Sequence, residues 1–568
     1  MKKLWWKEAV AYQIYLRSFM DSNGDGIGDI QGVISKLPYL SDLGIEVIWI
    51  SPMYQSPNDD NGYDISNYQE IMAEFGTMAD FDQLLLETHR LGMKLILDLV
   101  INHTSDEHPW FIESRSGRDN PKRDWYIWRD GKDNAPPQDG ADLNRPSTPT
   151  PAEPNNWESI FGGSAWEYDH QTEQYYLHIF SRKQPDLNWE NSHVRKGLFK
   201  MINWWLDKGI DGFRVDAISH IKKETGLADM PNPDGLKYVP AFPKMMNVNG
   251  IQPLLKELKE ATFAKYDIIT VGEANGVTVN DIDVWVDEKQ GNFNMVFQFE
   301  HLALWDAEVK KKLDVVELKE VLSRWQKGLE GKGWNALFIE NHDHARVVST
   351  WGNDSQYWRE SATAFAAMYF LMQGTPFIYQ GQEIGMTNVQ FDSIEEYNDV
   401  ATKNLYRLKR IEGIPHAEIM EVILATSRDN SRTPMQWSAD QSAGFTTGTP
   451  WLKINQNYVD INVAAQRHDP ASILNFYKKM IRLKKANKVF TYGTYDLLLP
   501  DDPQIYAYTR TLGRKKVIVI ANLSDQPALL TNELGACFNR RHLLLNNYGI
   551  TEHKLELGPY ETRVYRIK

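Results

Sequence analysis

The chain has 568 residues, 42% of them hydrophobic, and a formal net charge of −14. That is ample for a large core and for more than one domain, while the acidity argues against nucleic acid or an anionic membrane as partner. Cys537 is the only cysteine, which excludes an intramolecular disulfide, and no run approaches the roughly 18 apolar residues of a membrane span.

The start, Met1-Lys2-Lys3-Leu4-Trp5-Trp6-Lys7-Glu8, lacks the apolar stretch of a signal peptide, so a cytoplasmic location is expected. A first apolar, β-rich run begins near Ala9. The following loop, Asp21-Ser-Asn23-Gly-Asp25-Gly-Ile27-Gly-Asp29, alternates oxygen-bearing groups in the manner of an EF-hand start. It predicts a structural calcium held by Asp21, Asn23, Asp25, the carbonyl of Ile27, and Asp29. The twelfth position is Gly32 and not Glu, so the motif is not a full EF-hand. No Cys/His cluster suggests zinc.

Further runs begin near Ile45 and Lys94. Residues 104–175 then make an excursion too long for an ordinary loop and predict an inserted subdomain. Within it, 132–156 is rich in Pro, Asp and Asn, including Thr148-Pro149-Thr150-Pro151, and reads as an irregular surface segment. In 193–208 the residues Val194, Leu198, Met201, Ile202, Trp205 and Leu206 form one helical stripe, with Gly209 suited to the position past its end. Runs near Gly212, Ile268, Met295, Ala336 and Pro376 complete a set of eight. Strands alternating with helices predict a parallel sheet, and eight of them predict a (β/α)8 TIM barrel built from 1–103 and 176–487. After about residue 488 short alternating runs, such as 515–522 and 562–567, predict a C-terminal antiparallel β domain over 488–568.

Three carboxylates stand at or just past such runs: Asp216 in Gly212-Phe-Arg-Val-Asp216, Glu273 in Val271-Gly-Glu273, and Asp343 in Asn341-His-Asp343. A retaining glycosidase needs one carboxylate as nucleophile and one carboxylic acid as proton donor. Arg214 lies two residues before Asp216, hence on the same strand face, and is expected to keep that carboxylate ionised. Glu273, between Val271, Gly272 and Ala274, has the less polar setting that lets an acid keep its proton. Asp343, beside His342, is the candidate for holding sugar hydroxyls.

These segments resemble the α-amylase superfamily, glycoside hydrolase family 13, in its oligo-1,6-glucosidase and α-glucosidase branch. Asp98-Leu-Val-Ile-Asn102-His103, Gly212 to Asp216, Glu273 and Asn341-His342-Asp343 look like its ordered motifs. Gln184-Pro-Asp-Leu-Asn188, Arg432-Thr-Pro-Met-Gln-Trp437 and Gly374-Thr-Pro-Phe-Ile-Tyr-Gln-Gly381 fit the branch, so the resemblance spans essentially the whole chain. It implies Asp216 as nucleophile, Glu273 as acid/base and Asp343 as transition-state stabiliser. It also implies that Asp60 and Arg428 grip the terminal glucose, that Tyr63 and Phe161 wall it, and that His103, His342 and Arg214 complete the subsite. No organic cofactor is implied. Three departures bear on fine specificity: Leu16 where relatives often have Pro, His344-Ala345 after the third acid, and the length of 132–156.

The expected function is an exo-acting α-glucosidase on short oligosaccharides. In this branch the residue after the nucleophile resembles a linkage selector, and Ala217 suggests α-1,4 or broad activity. The alternatives are an oligo-1,6-glucosidase, or a sucrose isomerase or transglucosylase. The latter lacks its Arg-Leu-Asp-Arg signature here, Glu300-His301-Leu302 standing instead. Non-catalytic heavy chains of amino-acid transporters need a membrane span and lack the full set of acids. This chain has the reverse.

Overall fold

The computed structural model describes residues 3–132, 151–304, 313–531, 542–549 and 555–567. Cys537 and 133–150, most of the Pro-rich segment, lie outside the described residues. Eight strands make one sheet: β1 (Ala11–Ile14), β2 (Val47–Ile50), β3 (Lys94–Val100), β4 (Gly212–Asp216), β5 (Ile269–Glu273), β6 (Met295–Phe297), β7 (Ala336–Leu337) and β8 (Thr375–Tyr379). Except between β6 and β7, sequence neighbours pair in parallel, and β8 closes on β1 with Gln13 opposite Tyr379. Between β6 and β7 no ladder forms among the described residues. There the rings of Phe297 and Phe338 meet, with centroids 4.9 Å apart. This is the expected (β/α)8 TIM barrel.

The strands read as continuous apolar runs because both faces are buried. Ala11, Val47, Trp49, Ile96, Ile269, Val271, Met295 and Phe297 pack together as one cluster, the barrel interior. Tyr12, Ile14, Ile48, Ile50, Leu97, Leu99 and Phe213 belong to the layer beneath the helices. Alternation therefore carries Asp98, Arg214, Asp216 and Glu273 inward, at the C-terminal ends of β3, β4 and β5. The helix Ser192–Asp207 buries Val194, Leu198, Met201, Ile202, Trp205 and Leu206 as the stripe predicts. Gly209 follows at φ 99°, a left-handed position natural to glycine.

Between β3 and β4 the chain forms a three-stranded antiparallel sheet of Trp128–Arg129, Gln174–Leu177 and Trp166–Asp169. Its pairing runs past residue 175, and Asp186 bridges back to His103. Trp157, Trp166, Tyr175, Leu177 and Ile179 pack there with Ala241 and Met245 from beyond β4, which seats the insertion over the site. The C-terminal region is a five-stranded antiparallel sheet: β9 (Thr494–Leu498), β10 (Ile505–Leu512), β11 (Lys515–Asn522), β12 (Leu543–Asn546) and β13 (Thr562–Ile567). Arg510 Nη1 of β10 donates to Leu371 O at 3.1 Å, and buried Lys484 Nζ to Phe370 O and Met372 O at 2.8 and 2.9 Å. Both satisfy carbonyls at the C-terminal end of helix Trp358–Phe370; Arg510 thereby fixes the sheet to the barrel, and Lys484 does the same for helix Ile473–Ala486.

Candidate active site

The register of β3 on β4 sets Arg214 opposite Asp98, and β4 on β5 leaves Glu273 one pleat beyond. Arg214 Nη1 donates to Asp98 Oδ1 at 2.9 Å and Asp216 Oδ1 at 2.6 Å, while Nη2 donates to Glu273 Oε1 at 2.5 Å. The other Glu273 oxygen accepts the Ala217 N–H at 2.7 Å. One guanidinium thus serves three carboxylates, Asp98 and Asp216 buried and Glu273 partly so. Burial outweighs Arg214 at each of them. It raises Asp98 to about 6, Asp216 to about 7 and Glu273 to about 8. Arg214 therefore does not hold Asp216 below the ordinary range as expected, because burial, with Asp98 and Asp343 nearby, outweighs it. Glu273 still holds the proton most tightly, and a proton there lets Asp216 ionise.

A second group lies across the cavity. Arg428 Nη2 donates to Asp60 Oδ1 at 3.0 Å and to Asp399 Oδ1 at 2.6 Å, and its Nη1 to Asp343 Oδ1 at 3.2 Å. Arg432 Nη2 reaches the same Asp343 oxygen at 2.9 Å. Burial acts to raise Asp343, but His342, Arg428, Arg432 and Arg214 hold it far below the carboxylate range. Burial likewise opposes Arg428 and Arg432 at Asp399, which settles at about 2. Asp60 is pushed up by burial against the pull of Arg428, and Gln184 Nε2 donates to its second oxygen at 3.1 Å.

Burial pushes His103 and His342 below the ordinary imidazole range, at His342 against the pull of Asp343. Gln13 Nε2 donates to His342 Nδ1 at 2.8 Å, leaving Nε2–H for the Tyr63 hydroxyl at 2.6 Å, and Tyr63 in turn donates to Asp98 Oδ2 at 3.0 Å. His103 donates Nε2–H to Tyr63 O at 3.1 Å and is held at about 3 by burial. Together these side chains line a cavity of about 220 Å³ that gathers Asp60, Tyr63, His103, Phe161, Asp216 and Ala217 with Glu273, His342, Asp343 and Arg428. Arg214 lies beneath its floor, over the Trp49 ring at 5.1 Å. Phe161 faces Arg428, whose guanidinium carbon is 4.9 Å from the ring centroid.

Sequence reasoning left out Asp399, Arg432, His220 and Phe180 as site residues. Asp399 shows only a helix N-cap signal, accepting Ala401 and Thr402 N–H. Arg432 stands inside a branch motif, which was the available clue. His220 lines the cavity on the turn after Asp216, its Nδ1–H fixed on Met245 O at 2.8 Å. Glu300 is held on helix Val315–Leu329 by Arg324 and by Trp325 Nε1 at 2.9 Å.

In the Asp21–Asp29 loop Asp21 Oδ1 accepts Asn23 and Gly24 N–H, Asn23 Oδ1 accepts Asp25 N–H and Asp25 Oδ1 accepts Ile27 N–H. Asp29 receives Gly32 N–H and Ser22. Gly26, at φ 93°, presses on 445–451: a Cβ there would stand 1.8 Å from Thr449 O. No three His, Cys, Asp or Glu side chains cluster as a metal site among the described residues. The oxygens are of the kind a hard cation takes, but both oxygens of Asp21 and Oδ2 of Asp29 already accept two hydrogen bonds each within the protein.

Carboxylates of graded proton affinity at the C-terminal face of a (β/α)8 barrel, with aromatic walls and ion-paired arginines around one cavity, define a glycoside hydrolase. The family profile described as "Alpha amylase, catalytic domain" matches residues 13–493, and "Maltogenic Amylase, C-terminal domain" matches 495–564. The chain belongs to this α-amylase family, glycoside hydrolase family 13, in its oligo-1,6-glucosidase branch. It is 58% identical to the probable oligo-1,6-glucosidase 3 of Bacillus subtilis and 51% identical to the oligo-1,6-glucosidase of Parageobacillus thermoglucosidasius, with 100% of each chain covered. Among solved structures, the isomaltulose synthase of Klebsiella sp. LX3 superposes with a TM-score of 0.91 at 41% identity, again over 100% of both chains.

Proposed function

We propose that this hydrolase is an exo-acting, retaining α-glucosidase that favours α-1,6 linkages, releasing glucose from the non-reducing ends of short isomaltose-type oligosaccharides. The observation that carries this reading is full-length likeness to oligo-1,6-glucosidases at 58% and 51% identity. The α-1,4 emphasis taken from Ala217 gives way to it. In the mechanism Glu273 gives its proton to the glycosidic oxygen as Asp216 attacks the anomeric carbon, and the bond to the leaving sugar breaks. Glu273 then takes a proton from water, whose oxygen displaces Asp216. Asp343, anionic beside two arginines, binds ring hydroxyls, and Asp60 with Arg428 holds the far end of the glucose. The missing Arg-Leu-Asp-Arg signature, with Glu300-His301-Leu302 standing instead, favours hydrolysis over sucrose isomerisation. A calcium in the Asp21–Asp29 loop is part of the proposal, as a structural ion. The test is kcat/KM on isomaltose, maltose, sucrose and trehalose under the same conditions. Isomaltose is expected to exceed maltose. Preference for maltose, or isomerised sucrose as the main product, would overturn the reading.

A further inference from the structure

Ala217 is a non-glycine residue in the left-handed region, at φ 43° and ψ 31°, and is buried against the cavity. Residues with a Cβ seldom adopt this conformation, and β-branched ones are genuine outliers there. Here it ends β4 abruptly. The chain turns at once into the short helix Ile218–His220, whose His220 N–H closes on Ala217 O at 2.9 Å. The turn presents the Ala217 N–H to Glu273 Oε2 at 2.7 Å, while Arg214, three residues earlier, occupies Oε1 at 2.5 Å. The end of one strand thus fastens both oxygens of the acid on the next strand.

We propose that residue 217 is a positioning residue for Glu273: its left-handed backbone aims an N–H at the acid's second oxygen, so substitutions there act on proton transfer as well as on the room left for the leaving sugar. The inference rests on the reading of Glu273 as acid/base. An N–H donated to a carboxylate favours its ionised form, the form that must activate water in the second half-reaction. The other charges facing Glu273 are Arg214 and Asp216 of β4, Asp98 of β3 and Asp343 beyond β7. None of them is altered by exchanging residue 217. Glycine reaches the left-handed region freely. Val and Thr resist it, so their backbone shifts and the N–H withdraws.

The test is the pH profile of kcat/KM on isomaltose and on an activated aryl α-glucoside, for the wild type, A217G, A217V and A217T. The alkaline limb is expected to stay in place in A217G and to move upward in A217V and A217T by roughly half a unit, about threefold in proton affinity. Two β-branched variants guard against one failing to fold. A limb unmoved in both, even with a changed maltose-to-isomaltose ratio, would leave bulk as the residue's only effect and overturn the proposal. A limb moved equally in A217G would overturn it too. E273Q separates the two levels: an alkaline limb that persists in E273Q refutes Glu273 as the titrating acid, whatever residue 217 does.

Discussion

On one side of the cavity Asp98, Asp216 and Glu273 share the single guanidinium of Arg214. On the other, Asp60, Asp343 and Asp399 share Arg428 and Arg432. Both groups are buried, so desolvation pushes every carboxyl upward. Two cations overcome it at Asp343 and Asp399, whereas Asp60 stays raised by burial. With one, Glu273 reaches about 8. With two, Asp399 falls to about 2 and Asp343 is lower still. The carboxyl that holds its proton most tightly thus lies on the side of β4 and β5, while Asp343 and Asp399 stand opposite as anions.

The largest effect should come from the proton-bearing side. Asp216→Asn is expected to lower kcat on isomaltose by more than the roughly 10²–10⁴-fold that positioned proton transfer contributes. Mass spectrometry of the wild type with a slow-turnover glucosyl fluoride should find the label on Asp216. A label on another residue would sink the assignment. Glu273→Gln should cost about 10²–10⁴-fold on isomaltose, and far less on an aryl glucoside whose leaving group needs no proton. Equal losses on both substrates would remove Glu273 from the role of acid.

Arg428→Ala takes one of the two cations from the opposite side. It leaves Asp399, which is 1% exposed, short of its main partner. Breaking a buried pair in this way costs about 3–5 kcal/mol. Urea unfolding should show that loss together with a raised KM. An unchanged midpoint would mean that Arg432 alone suffices.

The two sides should also give stability opposite slopes with pH. Glu273 has its folded pKa raised from 4.5 to about 8, so its contribution is complete below 4.5 and is lost as pH rises to about 8. Asp399 is lowered from 3.8 to about 2, so its contribution is present above 3.8 and lost as pH falls toward about 2. Glu273→Gln should therefore gain Tm relative to wild type as pH rises through the first window. A gap that stays constant would contradict a raised Glu273 carboxyl. The smallest effect is expected at the Asp21–Asp29 loop. Chelation should lower Tm while leaving room-temperature kcat nearly unchanged, since an ion bound only by the folded state stabilises it by mass action. An unaltered Tm after verified metal removal would exclude a stabilising ion there.

Much of this was legible in the chain. Buried parallel strands must be apolar on both faces, so each announces itself as a run, and a site at strand ends leaves its acids beside those runs. The helix over 193–208 and the strands at 515–522 and 562–567 follow from periodicity in the same way. Asp216, Glu273, Asp343 and Arg214 could be named because their local spacing carries the chemistry. What spacing could not show was how charge is shared. Asp399 and Arg432 are separated from Asp343 by 56 and 89 residues; nothing local distinguishes Asp399 from an ordinary cap, and the motif around Arg432 does not say which acid it meets. Arg214 looked like a private partner of Asp216 until β3 and β5 brought Asp98 and Glu273 to the same guanidinium. The left-handed turn at Ala217 was equally hidden, since alanine carries no signal for it. Sequence by itself determined the barrel, its order of strands and the acids at their ends, because hydrophobic burial and strand alternation are local patterns. Tertiary structure alone decided which acid keeps its proton, because that depends on burial and on which charges converge at one point.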